Sequence, residues 1–199
     1  MIDNYKQISE LLEWDEKNAY FFLIQIYKRK KDQSEDDGQK ADNIMIKDYF
    51  IKSADHFDKI YPEIVKLCNF FNARAYIRLN MIPYDAVAME TLAIVVECLQ
   101  KGNQRNVKSA YTTACGRRCY DKNKKWLLDI DSEDNLTSEE MRKRLLDIRP
   151  EGNKVIAEIP TKNGFHLITE PFDVKQYSDK YGSINNLLNK NNPTLLYIP

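Results

Sequence analysis

A chain of 199 residues with 43% hydrophobic and 11% aromatic residues is long and apolar enough to bury a core, which excludes a disordered protein. Thirty basic and thirty acidic residues cancel, so only local charge can point to a partner. No run approaches the roughly 20 apolar residues that span a bilayer, and MIDNYKQISELLEWDEKN lacks the flanks of a secretory signal, so a cytoplasmic protein without membrane contact is expected.

Residues 3–14 place Ile8, Leu11 and Leu12 on one face of a short amphipathic helix. The run 19–27 (AYFFLIQIY) is dense in aromatic and β-branched residues, as a buried strand is, and KRKKDQSEDDGQKADN after it reads as a solvated loop. NIMIKDYFI predicts a second strand. Ser53 then caps a helix over 54–69, in which Ile60, Ile64, Leu67 and Cys68 share a face and Pro62 is expected to kink or split the helix. In 73–80 (ARAYIRLN), Ala75, Ile77 and Leu79 point one way and Tyr76, Arg78 and Asn80 the other. An apolar helix over 84–100 ends at Lys101 and Gly102.

Segment 101–125 carries eight basic residues against one acid, a net +7 that attracts polyanions. The same run also fits an ordinary solvated helix and loop. Within it, Cys115 and Cys119 form C-G-R-R-C, half of a zinc site whose other half is missing nearby. Cys68 and Cys98 fall on apolar helical stripes, as buried thiols do. KWLLDID predicts a strand, Thr137 with Glu140 a capping box for a helix to Asp147, and VIAEIP and GFHLIT two strands joined by a turn through Thr161, Lys162 and Asn163. A helix over 174–189 and a last strand, TLLYIP, complete an interleaved pattern of α/β or α+β type, with no internal repeat.

On the KWLLDID strand, Leu127, Asp129 and Asp131 share one face, with the two carboxylates about 7 Å apart. Like charges so close raise each other's pKa, and a hard divalent cation relieves the repulsion. D-x-D alone equally describes an acidic strand end running into a loop. His166 stands in GFHLIT after Thr-Lys-Asn-Gly, where a lysine, an amide and a glycine backbone suit phosphate oxygens. The other histidine, His56, lies in a helical pattern without such company.

A hydrophobic strand ending in D-x-D, a helix-bearing spacer and a strand with a small-residue-x-His phrase together resemble the archaeo-eukaryotic primase superfamily. WLLDIDSED is similar to its first motif, and IPTKNGFHLIT to its second in the Lys-Gly-x-His form of bacterial end-joining polymerases. The resemblance covers mainly residues 125–170. It implies an α+β fold, with a mixed sheet flanked by helices: a single primase-like catalytic domain over 1–199, with an N-terminal strand and helix module (1–100) packed on an RRM-like, motif-bearing module (101–199). It further implies Asp129 and Asp131 as ligands of catalytic Mg²⁺ or Mn²⁺. His166, Lys162, Asn163 and Gly164 would bind the nucleotide, joined by Arg78 from the upstream strand. The family's third acid is missing from TLLYIP; Asp173, after Phe172, is the candidate substitute, with Glu170 beside it.

The function so implied is a primase- or polymerase-like nucleotidyltransferase acting in DNA replication or repair. Nucleoside triphosphates and single-stranded nucleic acid would be its substrates, and replication or repair proteins its partners. Arg105, Lys108, Arg117 and Arg118 would follow nucleic-acid phosphates. The alternative is a primase-like nucleic-acid-binding or assembly protein without catalysis. A phosphohydrolase would use the same aspartates, but the histidine phrase does not suit it.

Overall fold

The computed structural model describes residues 1–14, 19–33, 42–118, 123–134, 136–191 and 193–199. In chain order they form β1 (Ile2–Asp3), α1 (Tyr5–Leu11), β2 (Tyr20–Lys28), β3 (Ile44–Ile51), α2 (Ala54–Phe71), β4 (Arg74–Ile77), β5 (Ile82–Pro83), α3 (Tyr84–Gln100), α4 (Ala110–Arg117), β6 (Trp126–Asp131), α5 (Ser138–Leu146), β7 (Val155–Pro160), β8 (Gly164–Thr169), α6 (Val174–Tyr181), β9 (Leu188–Asn189) and β10 (Thr194–Ile198). The class is α+β.

One sheet has the order β1-β10-β4-β2-β3, with β5 pairing the start of β2; the other has the order β7-β8-β6-β9. Every pairing among the described residues is antiparallel, so the expected mixed sheet is corrected to two antiparallel ones. The division at residue 100 also changes. β10 runs between β1 and β4 and so belongs to the N-terminal sheet, because its five residues are all buried and need cover on both faces.

Local signals explain most element ends. The Ser53 side chain accepts from the His56 amide at the start of α2, and the helix closes on Asn72 in the left-handed region (φ 48°). Pro62 neither splits nor ends α2. It is exposed, so water can reach the Asp58 carbonyl that loses its i+4 donor. Thr137 and Glu140 make the reciprocal capping box of α5. The helix expected over 174–189 is α6 alone, which ends at Gly182 (φ 90°), and β9 follows.

Alternation along β2 divides the core. Phe22, Ile24 and Ile26, with Ala75 and Ile77, pack under Ile8, Phe57, Ile64 and Cys68 of α1 and α2. On the opposite face Phe21 and Leu23 are covered by Val87 and Ile94 of α3 and by Ala110, Ala114 and Cys115. The second sheet buries Leu128, Ile130 and Leu167 against Met141, Leu145 and Tyr177 of α5 and α6. Its other face sends Leu127, Ile159 and Ile168 into the α1/α2 cluster, which joins the two sheets. On the α3 side of β2 Leu23 gives way to Gln25 and Tyr27, and on the second sheet Leu127 gives way to Asp129 and Asp131 and Ile168 to His166. There the sheets enclose a cleft instead of a core.

Candidate functional site

The cleft has a volume of about 510 Å³. Asp129, Asp131 and His166 line it from the second sheet and Gln25, Tyr27, Arg74, Tyr76 and Arg78 from the first, with Lys162, Asn163 and Arg29 also in the lining. Register brings the first three together. In the antiparallel pairing of β6 with β8, Asp129 stands opposite His166 and Asp131 opposite Gly164, so their side chains share a face. His166 Nε2 lies 3.3 Å from Asp129 Oδ1. Its Nδ1 is 2.8 Å from the Thr194 hydroxyl, which β10 delivers from the other sheet. A carboxylate only accepts, so Nε2 carries the proton toward Asp129, and in the neutral ring Nδ1 accepts from Thr194. His166 is buried, whereas the Asp129 side chain is half exposed to the cleft.

Gly164 is required by packing. A Cβ there would fall 2.1 Å from the Ile130 carbonyl oxygen, so any other residue would force β8 away from β6 and misalign the Asp129–His166 pair. The end of β6 is held as well: the Asp131 amide donates to Asp134 at 2.8 Å, and the Ser132 amide to the Asn163 carbonyl at 2.8 Å. That second bond fixes the Thr161–Asn163 turn beside the aspartates and places Lys162 in the cleft.

The opposing wall is basic and aromatic. Arg74 is almost fully buried and paired with Asp32 at 2.6 Å. Arg29 donates to the Tyr76 hydroxyl at 3.4 Å, and Arg78 donates to the Asn191 carbonyl. Burial, then the nearby Asp48 charge, pushes the Tyr27 hydroxyl up to about 12, with Arg78 working in the opposite direction. Asn80 does not join this wall; it exchanges two hydrogen bonds with the Lys125 backbone and anchors the start of β6.

No family model, curated protein or solved structure matches this chain. The site therefore has to be judged by its own chemistry.

Of the residues singled out in the sequence, Asp129, Asp131, His166, Lys162, Asn163 and Arg78 converge on the cleft. Asp173 does not. It caps α6 by accepting from the Gln176 amide at 2.9 Å and pairs with Arg149 at 3.6 Å, in a separate surface hollow with Lys175 and Lys180. Glu170, on the residue after β8, is also outside the cleft lining. Among the described residues no group of three or more His, Cys, Asp or Glu is placed to hold a metal unaided. Arg105 and Lys108 are exposed ahead of α4, and Arg117 and Arg118 at its end both bind Glu90. Of the C-G-R-R-C pair, Cys115 is buried in the α3/α4 cluster and its thiol is pushed up to about 11 by burial, while Cys119 lies outside the described residues.

Arg29, Arg74, Tyr27, Gln25 and Thr194 were not found by sequence reasoning. Alternation along β2 puts Gln25 and Tyr27 on one face, a signal available in AYFFLIQIY. Nothing in the sequence brings Thr194 to His166, since that contact depends on β10 crossing to the first sheet.

Proposed function

We propose that the protein is a divalent-metal-dependent nucleotidyltransferase of primase or polymerase type, using nucleoside triphosphates in the cleft and acting on single-stranded nucleic acid. The observation that carries this reading is the facing pair Asp129–His166 in one cavity with Asp131, Lys162 and Arg78. Two hard carboxylates on one strand face, with cations alongside for phosphate oxygens, fit Mg²⁺ or Mn²⁺, which commonly take one or two carboxylates plus substrate phosphates. Such an ion would neutralise phosphate charge and lower the pKa of the attacking hydroxyl.

The remaining steps fall to the chain's own residues. Lys162 and Arg78 hold the triphosphate by charge-assisted bonds. His166, held at Nδ1 by Thr194, directs its Nε2 proton at Asp129 and so orients that carboxylate toward the ion it would hold. The hydroxyl oxygen bonds to the α-phosphorus, the bond to the pyrophosphate oxygen breaks, and the hydroxyl proton passes to solvent. The aromatic Tyr27 and Tyr76 wall gives the base an apolar surface opposite the carboxylates.

The test is label incorporation from nucleoside triphosphates with Mn²⁺ on a single-stranded template. Asp129→Ala is expected to lower incorporation on the order of 100-fold or more, and Glu151→Ala, an exposed site outside the cleft lining, to retain it. Equal incorporation by wild type and Asp129→Ala would sink the proposal. One observation favours a second reading, a nucleic-acid-binding protein without catalysis: the candidate third acid, Asp173, caps a helix elsewhere. Salt-sensitive binding of single strands without any incorporation would select it.

A further inference from the structure

Three links connect the cleft to the end of α4. Arg78, a cleft residue, donates to the Asn191 carbonyl. The Asn191 amide donates in turn to the Gly116 carbonyl at 2.8 Å. A Cβ placed on Gly116 would meet only Arg78, at 3.7 Å from Nη2. The next two residues are Arg117 and Arg118, both held by Glu90: Arg117 Nη1 at 3.1 Å from one carboxylate oxygen, Arg118 Nε and Nη2 at 2.9 and 2.5 Å from the other. Glu90 is mostly shielded, with 13% of its side chain exposed, while the Arg117 and Arg118 side chains are 55% and 54% exposed. One carboxylate cannot neutralise two guanidiniums, so this fork keeps a net positive charge with its outer edges in solvent.

We infer that a single-stranded nucleic acid leaves the cleft past Arg78, crosses the side-chain-free surface of Gly116 and rests its phosphates on the Arg117–Arg118 fork. The inference rests on the nucleotidyl-transfer reading of the cleft and adds to it the path and polarity-blind contacts of the strand. Continuity favours a phosphate backbone. Arginines occur in the cleft and again just beyond its rim, joined by a glycine that lets a bulky strand lie close. Arg105 and Lys108 precede α4, whose eight residues span about 12 Å, so they lie at the far end of the helix from the fork. Of Arg105, Lys108, Arg117 and Arg118, the last two are therefore the ones that adjoin the cleft.

The experiment measures binding of a fluorescent oligothymidylate across a salt series, in an Asp129→Ala background without metal or nucleotide. Arg117→Ala with Arg118→Ala is expected to make the slope of log affinity against log salt shallower by about 1.4, two contacts at roughly 0.7 each. Lys59→Ala with Lys66→Ala removes the same charge from the exposed side of α2, behind the sheet, and should leave the slope unchanged. Gly116→Glu should cut affinity about 10-fold or more by setting both bulk and a carboxylate against the path, and Gly116→Gln should cut it less, through bulk alone; circular dichroism checks that each variant folds.

An unchanged slope in the double arginine variant, an equal change in the double lysine variant, or competition by polyglutamate as strong as by the oligonucleotide would each overturn the path. Fork-dependent binding by a protein that incorporates no label would remove the catalytic reading and leave the path standing. Incorporation by a protein whose slope ignores the fork would do the reverse.

Discussion

His166 is gripped from two sheets, by a carboxylate across its own sheet and by a hydroxyl from the other, and a ring so held has little freedom to turn. Tyr27 on the opposing wall is constrained electrically instead. Its hydroxyl is pushed up to about 12, first by burial and then by Asp48. An acid whose folded pKa lies above its unfolded value of about 10 stabilises the fold fully below that value and loses the contribution as pH rises toward 12. Tyr27→Phe should therefore lose less stability than wild type between pH 10 and 12, measured by denaturant unfolding at pH 9, 10 and 11; equal losses would place the ionisation elsewhere. At this scale the sequence was readable where chemistry is local. D-x-D on a strand and His166 beside a lysine-bearing turn are neighbours along short stretches, and alternation put Tyr76 and Arg78 on one polar face. Arg74 was hidden because its charge is tied up by Asp32, from a loop 42 residues upstream.

At the level of elements, caps and periodicity were legible because they are written within a turn or two. The α2, α3 and α5 starts fall at Ser53, Tyr84 and Thr137 as expected. The α6 end was not, since residues 174–189 keep some helical spacing while Gly182 supplies the stop. Asp173 illustrates how one residue type serves two purposes: a hydrophobic-acid pair looks like a metal-site motif, yet Phe172 is core and Asp173 a cap. Asp173→Ala should lower stability by about 1 kcal/mol, a melting shift of roughly 2–4 °C, with label incorporation unchanged. Loss of incorporation without a melting shift would return Asp173 to the catalytic set.

For the molecule as a whole, two sheets with separate helical covers could have been independent units. The cluster in which Leu196 of β10 meets Ile77 of the first sheet and Leu127, Ile159 and Ile168 of the second argues for one. Leu196→Ala is expected to cost about 2–5 kcal/mol and to shift a single unfolding transition intact; two transitions, with only one displaced, would separate the sheets. Interleaved strands and helices in the sequence supported the α+β class. They could not reveal the exchange of β10, because strand pairing across more than a hundred residues leaves no local periodicity.

That exchange sets an order of assembly. Synthesis runs from the N-terminus, so Asp129 and His166 both exist before the strand that aims the imidazole has been made. Until β10 inserts between β1 and β4, His166 lacks its Thr194 partner and the cleft lacks the lining that Leu195 supplies. A nascent chain thus carries the Asp129–His166 pair with the ring engaged at one nitrogen, and the second grip comes only when β10 docks.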